Sequence, residues 1–247
     1  VVKIPFRAVR EDLRYLFVMP DTHKRNALLA LLLLVPAPSV GVWLALYGMP
    51  GNPVAKAFFG ACKVWLLVLP VVWHMRVDKQ PITIPRPTRA GMGVAVATGS
   101  AIFMAIGAGY FLFGHWIDPK RVSANAIEAG LNSPAFYILL AVYWCTINSL
   151  LEEYVWRWFV FTRCEALMPR WPAVIASGLF FTLHHVIALT AYFDWRITTL
   201  ASLGVFIGGA TWSWIYLKYR NIYAAYVSHV FADIVIFAIG YKLIFGA

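Results

Sequence analysis

Charge is scarce in this sequence. Lys, Arg, Asp and Glu make up 13 % of its 247 residues, and only 11 residues are acidic. Soluble domains of this size carry about a quarter charged residues, so a water-facing surface cannot be assembled from this composition. Apolar residues fill the gap at 61 % of the chain, which is the composition of a polytopic membrane protein. Cysteine is scarce as well. Cys62, Cys145 and Cys164 are odd in number, far apart and set in or beside apolar segments. That excludes a disulfide framework and a CxxC metal site, and predicts three buried packing residues. No fixed-period repeat, low-complexity segment or soluble domain interrupts the chain. No cleavable signal peptide is visible, because residues 1–25 are charged and the first apolar run is long enough to span. The zincin pattern HExxH is missing, and Ser149 and Ser228 are single hydroxyls without a base and elbow.

What is present reads as an all-α polytopic bundle. Seven apolar runs of about 20 residues, the length a hydrocarbon core of about 30 Å requires, fall near 26–47, 54–75, 91–113, 135–160, 171–191, 197–217 and 222–244. The fourth is expected to run on to Leu167. Pro36 and Pro38 should kink the first and Pro70 the second. Residues 5–20 place apolar and basic side chains on different faces and predict an interfacial amphipathic helix; 122–134 predicts a short surface helix or loop. Residues 1–134 thus hold the amphipathic helix and three spans, and 135–247 the remaining four. Basic residues cluster at 1–25, 76–90 and after the fourth and sixth spans. That alternation predicts a cytoplasmic N-terminus and an outside C-terminus. It also accounts for the net charge of +10 without nucleic acid, through cytoplasmic loops and anionic lipid. Gly204 and Gly208 form GxxxG and predict a close helix contact.

Against this background a few polar residues are out of place. A charge at the centre of a membrane helix costs about 2.5–3.5 kcal/mol on insertion scales, so such residues face one another or a cavity and are functional candidates. "SLLEEYVWRWFVF", 149–161, carries Glu152, Glu153 and Arg157. The i, i+4 spacing lets Arg157 neutralise Glu153, while Glu152 points about 100° away and stays free for chemistry. "SGLFFTLHHVIAL", 177–189, carries His184 and His185, which point to different faces, so at most one is expected to meet the carboxylates. "VSHVFADIV", 227–235, places His229 and Asp233 on one face. A carboxylate pair and imidazoles inside apolar helices can activate water, with another imidazole stabilising an oxyanion. Each group alone also suits a packing hydrogen bond or an intrahelical ion pair.

In order and spacing, Glu152-Glu153-x-x-x-Arg157, Phe181-x-x-x-His185 and His229-x-x-x-Asp233 resemble the three motifs of the CAAX protease and bacteriocin-processing (Abi) family. The resemblance covers roughly 135–240 and extends to "GVFIGGATWSWIYLKYRNIYAAYVSH", similar to the family's glycine-containing helix. It implies an intramembrane endopeptidase of the glutamate type. By position, Glu152 with His185 would activate water, His229 with residue 233 would line the oxyanion hole, and Glu153 and Arg157 would support the site. No cofactor is then required. The older metalloprotease reading of the family would make Glu152, His185 and His229 zinc ligands. Position 233 is Asp where the family commonly has Asn, and an ionised carboxylate cannot donate to an oxyanion, so Asp233 must be protonated or must orient His229. Phe180-x-x-x-His184 also fits the second motif, but a small residue, Thr182, follows Phe181 as in the family.

The expected partners are the bilayer and a membrane-associated protein or peptide substrate, and the expected location a prokaryotic cytoplasmic membrane. Two rivals stand beside the protease: a non-catalytic scaffold or immunity protein that keeps the motifs, and a transporter using the buried carboxylates. No inverted repeat supports the second of these.

Overall fold

The computed structural model describes residues 20–83 and 85–246. The expected amphipathic helix at 5–20 lies, but for Pro20, outside them. Among the described residues there is no strand, and seven helices are long and apolar enough to cross a membrane. They are α1 (Asp21–Gly48), α2 (Pro53–Arg76), α3 (Arg89–Trp116), α5 (Pro134–Leu167), α6 (Arg170–Tyr192), α7 (Trp195–Tyr219) and α8 (Ile222–Phe245), with the short α4 (Pro119–Glu128) between α3 and α5.

Local chemistry sets most helix starts. The side chains of Asn52, Thr88, Asp118, Ser133, Asp194 and Asn221 each accept a backbone N–H of the first turn. Pro53, Pro119 and Pro134 stand at first helical positions, where a missing N–H costs nothing. Asp118 and Pro119 therefore start α4 ahead of the expected 122–134 segment, and a turn with Gly130 at φ 92° closes it early. Within α1, regular helix stops at Leu34 and restarts at Pro36. Pro70, by contrast, sits inside a helix that continues to Arg76.

The most extensive pairings are α6 on α7 and α8 on α3; the middle of α1 packs on α2 and α6, and its first half on the end of α5. Trp156, Phe159, Phe161, Phe181 and Ile215 are among the largest buried core side chains. The three cysteines are free and buried, as expected.

The close helix contact lies elsewhere than the GxxxG spacing suggests. A Cβ on Gly204 meets nothing within 4 Å, and one on Gly208 meets only Trp212 of its own helix. The tight crossing is between Gly178 of α6 and Gly209 of α7, where a Cβ on Gly178 would stand 3.0 Å from the backbone nitrogen of Ala210. Spacing names small residues but not the face that meets a neighbour. Gly178→Ala is expected to destabilise the protein by about 1–3 kcal/mol, the cost of overpacking a tight contact, with Gly204→Ala close to neutral. Thermal unfolding of both variants in detergent checks this; equal melting temperatures would dissolve the assignment.

Candidate active site

The site is built around α5, which is not a regular helix where it matters. Wider π-helical turns at Trp144–Asn148 and Tyr154–Phe161 flank the α-helical turn Ser149–Glu153. Such turns are rare and cluster at functional positions. The carboxylate pair sits between them.

Glu153 and Arg157 are fully buried, with Arg157 Nε 3.2 Å from Glu153 Oε2. The guanidinium carbon lies 4.7 Å from the ring centroid of Phe181 and 5.2 Å from that of Trp212, so aromatic faces shield its charge as well. Glu153 uses its other oxygen, Oε1, to accept from His229 Nδ1 at 2.9 Å. The sequence-predicted division of labour is present: Glu153 is committed to Arg157 and His229, while Glu152 remains partly open at the wall of a cavity. Glu152 accepts from Asn148 Nδ2 at 2.8 Å.

His185 is anchored by Nδ1, 2.8 Å from the carbonyl oxygen of Phe181. A carbonyl can only accept, so Nδ1 carries the proton, and in the neutral ring Nε2 keeps the lone pair. This contact gives the Phe-x-x-x-His spacing a physical meaning. The Phe181 carbonyl fixes the tautomer, and its buried ring packs on Arg157 and, edge-on at 6.0 Å between centroids, on His229.

His184 is where expectation and structure differ. Its ring stacks on Trp156 with centroids 5.4 Å apart and lines the same cavity as Glu152. Ligating atoms of Glu152, His184 and His185 all lie within 4.8 Å of one another. Both histidines therefore meet the carboxylate, although adjacent helix positions diverge by about 100°; side chains of this length swing back toward a common point. The trio also differs from the expected zinc set by His184 in place of His229.

On α8, His229 lies flat against Trp212, with ring centroids 3.8 Å apart and planes at 18°. The Trp212 indole N–H donates to Ser228 Oγ, which also receives the Thr98 hydroxyl. The stack is thereby held from two helices. His229 Nε2 stands 3.8 Å from Glu152 Oε2 and 3.6 Å from Asp233 Oδ1. Ser149 Oγ lies 2.5 Å from Asp233 Oδ2 and 2.7 Å from the carbonyl oxygen of Trp144. One hydroxyl proton cannot serve two acceptors. If it goes to the carbonyl, the Asp233 contact requires a protonated Asp233 that donates to Ser149.

All six candidates, Glu152, Glu153, Arg157, His185, His229 and Asp233, thus converge at the meeting of α5, α6 and α8. Asn148, Ser149 and Trp212 were not legible as site residues. For the first a signal existed: Asn148 precedes Glu152 by the same four residues that separate Glu153 from Arg157. A donor one turn before a buried carboxylate is worth the same attention as a cation one turn after it.

Above the Glu152 carboxylate opens a cavity of about 290 Å³ between α1, α2 and α5, with mostly apolar walls such as Pro38, Phe59, Leu66 and Trp144. Residues 134–235 match the family model described as Type II CAAX prenyl endopeptidase Rce1-like. The matched interval holds all six candidates and belongs to the family that the three motifs resemble. No curated protein and no solved structure matches the chain.

Proposed function

Because residues 134–235 carry an Rce1-like domain of the CAAX protease family, we propose that this multi-pass membrane protein is an intramembrane endopeptidase of the glutamate type. In this reading Glu152 takes a proton from water while His185 Nε2 shares it, and the hydroxide attacks the scissile carbonyl. A doubly protonated His229 gives its Nδ1–H to Glu153 and keeps Nε2–H for the oxyanion; Asp233, tied to Ser149 by its other oxygen, flanks that Nε2. Collapse of the tetrahedral intermediate breaks the C–N bond, and the proton held by Glu152 passes to the leaving amine. Arg157 offsets the charge of Glu153 and so fixes His229. The observation that carries the proposal is the grouping of Glu152 and His185, with reactive atoms within 4.8 Å of each other, where Glu152 meets the wall of an apolar cavity. That wall suits a peptide presented from the bilayer, with a prenyl or other apolar group beside the cleaved bond.

A zinc ion has a fitting donor set here as well: one carboxylate and two imidazoles is a known catalytic combination, and the Phe181 carbonyl would orient His185 as an outer-shell partner. Glu152, His184 and His185 would hold such an ion, and it would supply Lewis-acid activation of water. In the glutamate reading Glu152 and His185 supply that activation instead. Cleavage of a prenylated peptide by the purified protein is therefore expected to survive treatment with a strong zinc chelator, with kcat unchanged within about twofold. Complete loss, restored by stoichiometric zinc, would replace the glutamate reading with the metal one.

A further inference from the structure

Lys63 is a charge that the chemistry above does not use. It stands near the middle of α2, ten residues after Pro53 and thirteen before Arg76. At 1.5 Å per residue that is about 15 Å from the nearer helix end, too deep for its stem to carry the ammonium fully into water. The side chain lines the cavity together with Glu152 and His184, and its Nζ lies 5.7 Å from the Phe59 ring centroid. It is within electrostatic reach of Glu152, His184 and His185. Yet among the described residues no carboxylate lies within ion-pair distance of it. Glu152, which lines the same cavity, is already served by Asn148. A cation in an apolar membrane cavity without a protein anion is costly, and such residues mark substrate pathways.

Resting on the endopeptidase reading for what enters the cavity, we propose that Lys63 binds a carboxylate of the substrate and selects peptides that carry one close to the cleaved bond. A single ammonium among apolar walls matches a monoanion. A dianionic phosphate would leave one charge uncompensated and face Glu152 across the same cavity. In a peptide, the carboxylate is either the free chain terminus or an Asp or Glu side chain.

The probe is a fluorescent peptide ending in S-prenylated cysteine followed by Val-Leu-Ala. It is made as the free acid, as the carboxamide, and as a carboxamide with Asp in the last place. Binding is measured on full-length Glu152→Gln protein, so that no turnover is needed. The free acid is expected to bind about 10- to 100-fold more tightly than the carboxamide, the range of a hydrogen bond to a charged group. Adding Lys63→Met should erase that preference without changing affinity for the carboxamide, which reports that the cavity is intact; Lys63→Arg should keep most of it. Recovery of affinity by the Asp carboxamide assigns the contact to any nearby carboxylate, and no recovery assigns it to the chain terminus. Equal binding of acid and amide, equal weakening of both by Lys63→Met, or no measurable binding of the acid overturns the assignment. A binding preference without cleavage by the unaltered protein sinks the endopeptidase reading alone. Equal kcat/KM for acid and amide sinks only the role of Lys63.

Discussion

Protein carrying Glu152→Gln is expected to lose about 10²- to 10⁴-fold in kcat for peptide cleavage, the range that a positioned general base contributes. The substitution keeps the shape of the side chain and its acceptor oxygen for Asn148 Nδ2, now 2.8 Å away, so the fold should be retained. Glu152 and His185 act on one proton in the proposed mechanism. His185→Ala should therefore fall into the same range, and the double variant should be no slower than the worse single one, because groups that act as a unit are not additive. His184→Ala tests the alternative. It removes the ring stacked on Trp156 but no anchored base, so most turnover per folded molecule should remain. Cleavage rates normalised to folded protein decide the matter. A dead His184→Ala beside an active His185→Ala moves the second motif one residue back, and two active variants take His185 out of the mechanism.

Arg157→Met should be among the most destabilising single substitutions in the protein. It leaves Glu153, which has no exposure to solvent, with His229 as its remaining partner, and removing one partner of a buried ion pair costs about 3–5 kcal/mol. Glu153→Leu leaves Arg157 between Phe181 and Trp212 without its carboxylate and should cost a similar amount. Apolar replacement of both together should recover much of that loss, since a dry pair of hydrophobic side chains strands no charge. Activity should not return with stability, because His229 Nδ1 loses the Glu153 oxygen that it holds at 2.9 Å. Unfolding of the three variants in detergent gives a double-mutant cycle whose coupling energy is the direct measure. Additive losses in the double variant would show that the two residues do not depend on each other.

Composition and span length dictate the class, and they also pick out most members of the candidate site. Scarcity of charge and seven apolar runs dictate spans, since lipid cannot satisfy a free backbone, and the described residues form seven such helices. Charged and imidazole side chains in lipid-length helices must face inward, which is why Glu152, Glu153, Arg157, His185, His229 and Asp233 were identifiable and why they converge. The Glu153–Arg157 pair was legible because both members share one helix and its periodicity fixes their separation.

Tertiary packing decided the rest. GxxxG named Gly204 and Gly208, whereas the close approach runs through Gly178 and Gly209; a small residue permits contact, but only the arrangement of helices supplies the neighbour. Periodicity separated His184 from His185, yet both meet Glu152, because an angle at the helix axis does not fix where a flexible ring ends. The π-helical turns around Ser149–Glu153 left no mark that a 3.6-residue repeat could show. Nothing in the sequence singled out Lys63; its place on the cavity wall beside Glu152 exists only because α2 packs next to α5. A contact between two helices distant in sequence depends on their packing, and no spacing within either one encodes it.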